Sequence, residues 1–444
     1  IMHDPYLSEE VPELVNYRIA MNFGSMAANP FLTNLDGVKR VYLNTDGLGQ
    51  GVLLKGYGSE GHDSGHPDYA DIGTRIGGAE DMKTLMKEGK KMGALFGIHV
   101  NASEMYTEAK AFSNELSRGY DGLDSGWNWL DQGIGINGLF DLADGRRQSR
   151  FAALHEALKK SDGTDDLDFI YVDVWGNGVA GGDEGETSWG SRMLAREING
   201  LGWRLATEWG PTHEYDSTLQ HWAADLVYGG YNSKGENSAV MRFLRNHQKD
   251  SWVADYPSYD GAAQMPLLGG LNMTDFEGWQ GRTDYDNYIK IMFRHNLITK
   301  YLQHYQVVDW VDGSPVSVPA NESISAPAVE WTPEMQVTLR NTKNGADSTE
   351  IVVSRKSNNY ADLANYRSRT ITVNGVKVSE GAPTGGDGSN AGDEKYLIPW
   401  NWGADGSELS GNDMKMYHWN TNGGTSEWEL TKNWQGLSNV VVYK

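Results

Sequence analysis

No cysteine occurs in the 444 residues of this chain. That excludes a disulfide framework, a thiolate zinc site and a cysteine nucleophile. Secretion stays open, because a chain with 39% hydrophobic residues can fold without staples. Basic charge is scarce: 38 Lys and Arg stand against 60 Asp and Glu, a formal net charge of -22. Such a surface repels nucleic acid and anionic membranes and tolerates neutral sugars. No apolar run approaches the ~20 residues of a membrane span. The opening "IMHDPYLSEE" has no basic start and no apolar signal core. It begins at isoleucine, so the expectation is a fragment of a longer product, with any export signal or anchor outside it. No G-x-S-x-G supports a Ser-His-Asp set. The glycine cluster "DGLGQGVLLKGYG" lacks the Lys-Ser/Thr ending of a phosphate loop, so no nucleotide and no other cofactor is expected. Oligomeric state is not legible.

Tryptophan and glycine are plentiful instead, at 16 and 54 residues. Most of the tryptophans belong to core packing, and a smaller share suits flat apolar platforms in an open cleft.

From about Asn16 to Gln303, strand-like runs alternate with helical ones. "YRIAMNFGSM", "RVYLNTDG", "GALFGIHVN", "DFIYVDVWG", "WRLATEWG", "AADLVYGG" and "DSWVADY" read as strands. Amphipathic stretches at 79–93, 146–161, 191–202 and 238–249 read as helices between them. This rhythm predicts an α/β fold with a parallel sheet, a (β/α)8 barrel. A doubly wound sheet is the alternative, but "NFGSMAANP" is a poor phosphate turn. From Val307 helical periodicity fades. "MQVTLRN", "TEIVVSRK", "RTITVNGVKV", "KYLIPWNW", "MKMYHWN", "SEWELT" and "NVVVYK" alternate apolar and polar residues, which predicts an all-β sandwich. The expected linker is "WVDGSPVSVPANESISAP", and 380–394 reads as a loop. The expected division is a TIM-like catalytic barrel over 1–305, its first ~15 residues a lead-in, then a β-sandwich domain over 306–444.

In a barrel, the loops after the strand C-termini build the active site. "DFIYVDVWGNG" ends an apolar strand with Asp173 and then supplies two glycines for the turn. "WRLATEWG" ends the next strand with Glu208, 35 residues on, one βα repeat. Neighbouring parallel strands lie ~4.8 Å apart, so the two carboxylates can flank one scissile bond. A two-carboxylate glycosidase needs that, with one ionised nucleophile and one protonated donor. The bland readings are an aspartate capping its loop and a glutamate paired with an arginine or backbone amides. Asp46, Glu214, Asp225 and Asp255 are rivals, none paired so cleanly with another strand tip.

Residues 53–73 form a long loop with His62 and His66 four apart beside Asp63, Asp68 and Asp71. A metal site is conceivable. Gly65 and Pro67 argue against a helix, so hydrogen bonds to sugar hydroxyls are preferred and no metal is assigned. His99 ends its strand facing the same mouth, as a ligand to substrate or as a satisfied core residue. "GWNWLDQG" sets Trp127 and Trp129 on one side of an extended segment, to stack on sugar faces or to pack a loop.

"YVDVWGNG", "LATEWG", "GWNWLDQ", "EYDSTLQHWAADLVYGGYNSKGENSAVMRFLRNHQKD" and "PLLGGLNMTDFEGWQGR", with "WTPEM", "VVSRKSN" and "IPWNW" farther on, occur in one order. Together they resemble glycoside hydrolase family 101, the endo-α-N-acetylgalactosaminidases, over nearly all of 16–444. The resemblance implies release of Galβ1-3GalNAc from Ser or Thr of mucin-type glycoproteins, with retention through a covalent glycosyl-enzyme. It implies Asp173 as nucleophile and Glu208 as acid/base, with Asp63, His99, Trp127 and Trp129 binding substrate. It also implies a glycoprotein or glycopeptide partner and an extracellular or cell-surface location, with a signal, further modules and often a wall anchor in longer members. The residues alone leave open another retaining α-glycosidase, such as an α-galactosidase, or a non-catalytic sugar-binding protein on the same fold.

Overall fold

The computed structural model describes residues 15–20, 29–62, 64–119, 123–128, 131–173, 193–209, 218–222, 268, 274–277, 289–290, 292–311, 315–317, 329–331, 336–341, 345–355, 365, 368–383, 392–404 and 407–443. Strand β1 (Val15–Ala20) is followed by helix α1 (Phe31–Asn44), β2 (Gln50–Lys55), α2 (Gly78–Lys90) and β3 (Ala94–Asn101). A small sheet of β4 (Glu104–Met105), β5 (Ser125–Asn128) and β6 (Gln132–Gly135) interrupts the next connection, with β6 central. Helices α3 (Gly138–Ala143) and α4 (Arg146–Leu158) then lead to β7 (Phe169–Asp173). After helical residues 193–200 come β8 (Arg204–Trp209), β9 (Thr218–Trp222) and β10 (Thr274–Glu277).

Helix α2 shows why these segments are helical. Met82, Leu85, Met86 and Gly89 recur at three- and four-residue spacing and are buried. Glu80 and Asp81 in its first turn and Lys87 and Lys90 in its last complement the helix dipole. The expected strand "RVYLNTDG" is a correction: residues up to Asn44 complete α1. Its apolar stripe starts farther upstream, at Phe31, and continues through Leu35, Val38 and Val41. The strand that fills this place is β2, "QGVLLK", buried along almost all its length.

The large sheet has the order β10-β1-β2-β3-β7-β8-β9, and every pairing in it is parallel. The last of these strands in the chain therefore pairs with the first, as a barrel requires. "AADLVYGG", "DSWVADY" and the expected helix over 238–249 lie outside the described residues.

Helix α5 (Leu297–Gln303) leads into the second region. It holds β11 (Gln306–Val311), β12 (Pro315–Ser317), β13 (Val329–Trp331), β14 (Gln336–Arg340), β15 (Glu350–Arg355), β16 (Arg369–Val373), β17 (Val376–Gly381), β18 (Lys395–Trp400) and β19 (Lys415–Asn420). Seven of them form an antiparallel sheet in the order β11-β14-β15-β16-β17-β18-β19, and β12 pairs with β13 apart from it. Side chains of β16 alternate between buried and half-buried, the mark of a sheet covered on one face. The protein is thus an α/β barrel followed by a β-sandwich domain.

Three expectations here need correction. The linker stretch 310–327 begins inside β11 and contains β12. "SEWELT" forms no strand, and "NVVVYK" runs exposed over Val440–Tyr443. Alternation marks which residues could line a sheet face, but a strand also needs a neighbouring edge to pair with.

The two regions share one continuous apolar core. Tyr417 Oη donates to Thr45 O at 2.6 Å, and Tyr396 Oη donates to Phe293 O at 2.6 Å. The Trp402 ring lies flat on His304, centroids 3.3 Å apart.

Candidate active site

The barrel strands sort their side chains by parity. Ile170 and Val172 of β7 join the main core, under the helices. Phe169 and Tyr171 instead form a separate cluster with Leu53 of β2 and Ala206 of β8. That second cluster is the barrel interior, and successive levels of it follow from the register. Leu53 is level with Gly97, Gly97 with Phe169, and Phe169 with Arg204. A Cβ on Gly97 would come within 2.1 Å of the Phe169 ring, so only glycine leaves room for that ring at this level. One level up, His99, Tyr171 and Ala206 are neighbours. The next holds Asn101 beside Asp173. Period-two alternation therefore carries Phe169, Tyr171 and Asp173 up one inner face, and Asp173 is the last of them, at the mouth.

Asp173 is 18% exposed, and its Oδ2 lies 3.4 Å from Nε2 of His99, which is 1% exposed. The His99 ring stacks on Tyr171 at 5.2 Å between centroids and meets the His62 ring at 4.5 Å with a 59° tilt. Donor atoms of His62, His99 and Asp173 all lie within 4.8 Å of one another. Three separate stretches of chain thus deliver two imidazoles and a carboxylate to one point.

The loop after β2 delivers His62 because the rest of it is pinned. Tyr57 Oη donates to Tyr69 O at 2.7 Å, and Tyr69 Oη donates to Asn101 O at 3.1 Å. His66 Nδ1 accepts from Asn101 N at 3.0 Å. Asp68 accepts from the amides of Lys110 and Ala111, and Asp71 accepts from Ser59 Oγ at 3.0 Å. His66, Asp68 and Asp71 therefore hold the loop. Asn101 was missed. Its Oδ1 accepts from Ser103 N and Glu104 N, turning the chain after β3. A strand-tip asparagine two residues beyond His99 was the available signal.

The remaining predicted residues fall as follows. Glu208 lies in β8 at the position after Thr207, which is level with Val172. Trp127 lies in β5 of the small sheet that follows β3. Asp63, Trp129, Glu214, Asp225 and Asp255 lie outside the described residues. Asp46 precedes β2, at the opposite end from the mouth, and its carboxylate pairs with Lys415 at 3.3 Å.

A second aspartate, Asp168, starts the β7 run at the barrel base. It accepts from Phe96 N at 2.8 Å and pairs with Lys90 at 3.0 Å. Burial outweighs that pull and pushes its carboxyl up to about 6.

The family described as endo-alpha-N-acetylgalactosaminidase matches residues 1–289, and the glycosyl hydrolase 101 beta sandwich domain matches residues 295–444. A Renibacterium salmoninarum protein named "Putative endo-alpha-N-acetylgalactosaminidase" is 32% identical over 445 residues. That alignment takes in 99% of this chain and 24% of the relative, so the chain spans about a quarter of that relative's length. Among solved structures, the alpha-N-acetylgalactosaminidase NagBb of Bifidobacterium bifidum in complex with GalNAc is similar, with a TM-score of 0.52 at 14% identity over 83% of this chain and 58% of that one. Its ligand-free form has a TM-score of 0.54 at 14% identity, over 79% of this chain and 58% of that one. At such identity the likeness establishes the fold alone. Two domain matches in sequence order, and a relative aligned along the whole chain, make this chain a member of glycoside hydrolase family 101, the endo-α-N-acetylgalactosaminidase family.

Proposed function

We propose that the chain is a retaining endo-α-N-acetylgalactosaminidase that releases Galβ1-3GalNAc from Ser or Thr of mucin-type glycoproteins. One observation carries the reading. Asp173 tops the inner face of β7, and Glu208 occupies the next register position on the adjoining strand β8. Glu208 stands two positions beyond Ala206, which joins the inner cluster, and so shares its parity in the strand. Family membership supplies the substrate class.

The reaction runs in two displacements. Asp173 attacks the anomeric carbon of the α-linked GalNAc. Glu208, directly or through one water, gives a proton to the departing Ser or Thr oxygen. The sugar is then held as an ester on Asp173. Glu208 takes a proton from water, which attacks the same carbon from the opposite face and restores the α configuration. Asp63 and His99 supply hydrogen bonds to the disaccharide, and Trp127 with Trp129 supplies flat faces for it. The catalytic barrel is assigned to 1–305 and the sandwich to 306–444. The substrate class calls for an extracellular or cell-surface location.

The test is hydrolysis of nitrophenyl Galβ1-3GalNAc, followed by NMR of the first-formed sugar. Release of the α anomer is expected. Release of the β anomer, faster cleavage of nitrophenyl α-galactoside, or disaccharide binding without hydrolysis would each overturn the reading.

A further inference from the structure

The geometry points to a second use of the barrel mouth: His62, His99 and Asp173 form a chelating site for a borderline-soft divalent cation of the Zn2+ class, and its occupation shuts off hydrolysis. The inhibitory half rests on Asp173 being the nucleophile. The chelation half does not.

The donor set comes first. Two imidazoles and one carboxylate suit Zn2+ without any thiolate, which this chain lacks. They do not suit Ca2+, which needs six to eight oxygens, or Mg2+, which keeps an octahedral oxygen shell.

Distances come second. Bonds of 2.0–2.2 Å to a tetrahedral metal place two ligand atoms about 3.3–3.6 Å apart. His99 Nε2 and Asp173 Oδ2 already stand 3.4 Å apart. All three donors lie within 4.8 Å of one another.

Rigidity and access come third. His62 and His99 are 4% and 1% exposed, and the Tyr171 ring backs His99. Chelation therefore costs little further ordering. Asp173, 18% exposed, is the most exposed of the three ligands. The formal net charge of -22 draws cations toward the protein. A bound cation engages the carboxylate oxygen that must attack the anomeric carbon, and it fills the volume that the sugar needs. Inhibition is therefore competitive with substrate.

The test uses the whole chain stripped with EDTA. Co2+ is titrated in as a spectroscopic stand-in, then displaced with Zn2+ while heat is recorded by calorimetry. The expected result is one Zn2+ per chain and the strong visible bands of four- or five-coordinate Co2+. His62→Gln and Asp173→Asn should each weaken Zn2+ binding at least tenfold, whereas His418→Gln, at the exposed position of β19, should not change it. In hydrolysis assays Zn2+ should raise the apparent KM and EDTA should restore it. Weak octahedral Co2+ bands from the wild-type chain would overturn the chelation without recourse to any variant. So would equal Zn2+ affinity in folded His62→Gln. Chelation in a chain that hydrolyses nothing would sink the glycosidase reading and leave the site standing. Hydrolysis unmoved by saturating Zn2+ would overturn the inhibitory half and leave the chelation to the Co2+ bands.

Discussion

The run "DFIYVD" carries an aspartate at each end, and the two have opposite fates. Their side chains are almost equally exposed, 17% for Asp168 and 18% for Asp173. Exposure therefore does not separate them; their neighbours do. Asp168, at the barrel base, is held by a lysine and a backbone amide in a setting that serves packing. Asp173, at the mouth, faces the His99 imidazole and the opening. A perturbed carboxyl at the base is thus a poor pointer to chemistry, although perturbed groups often mark active sites. Glu394 of the sandwich extends the contrast. It accepts from Arg369 Nε at 2.7 Å, Arg369 Nη2 at 3.1 Å and Ser379 Oγ at 3.0 Å, and is buried with them. Its lone pairs are committed to the fold.

The sharpest break of this comparison comes from Asp173→Asn. Turnover should fall by about 10^4-fold or more while thermal stability stays near wild type. A variant that hydrolyses normally would remove the functional half of the contrast. Glu394→Gln should do the opposite. It leaves Arg369 as a buried charge without its counter-ion, at a cost of about 3–5 kcal/mol, read by urea denaturation, with kcat unchanged in the surviving folded chains. A loss of kcat at intact stability would place Glu394 in the wrong class.

Asp168→Asn tests the base by pH. The folded carboxyl titrates near 6 against an ordinary value of 3.8, so between these values the folded chain holds a proton that the unfolded chain has lost. That extra stability is complete below the unfolded value and is lost as pH rises through the folded one. The substituted chain lacks this loss. Melts at about pH 4 and about pH 7.5 should therefore shift the stability difference against wild type by about 1–2 kcal/mol at the higher pH. A difference that is flat with pH would mean the carboxyl is not raised. Smallest of the four, Tyr417→Phe removes the hydroxyl that reaches Thr45 O across the two regions, at about 1 kcal/mol. It should leave turnover alone, and a clear change in kcat would show that the sandwich steers the barrel mouth.

Much of the barrel was legible because its signals are local. Strand tips ending in carboxylates named Asp173 and Glu208, and the parity of "FIYVD" reappears as two separate apolar clusters. Helix α1 was misread in part because its β-branched and aromatic tail was weighed without the stripe that begins at Phe31. The partners of His62 were not legible for a different reason: they lie on β3 and β7, far along the chain from its loop.

By itself the chain order determined the fold class, the parity of each strand residue, and the absence of thiol chemistry. Those follow from side-chain type and from periods of 2 and 3.6 residues, which any local window contains. Tertiary structure alone decided that His62 meets His99 and Asp173, and that Lys90 and the Phe96 amide hold Asp168. Those outcomes depend on strand register and on how a pinned loop returns over the sheet, and contacts between distant stretches of chain set both.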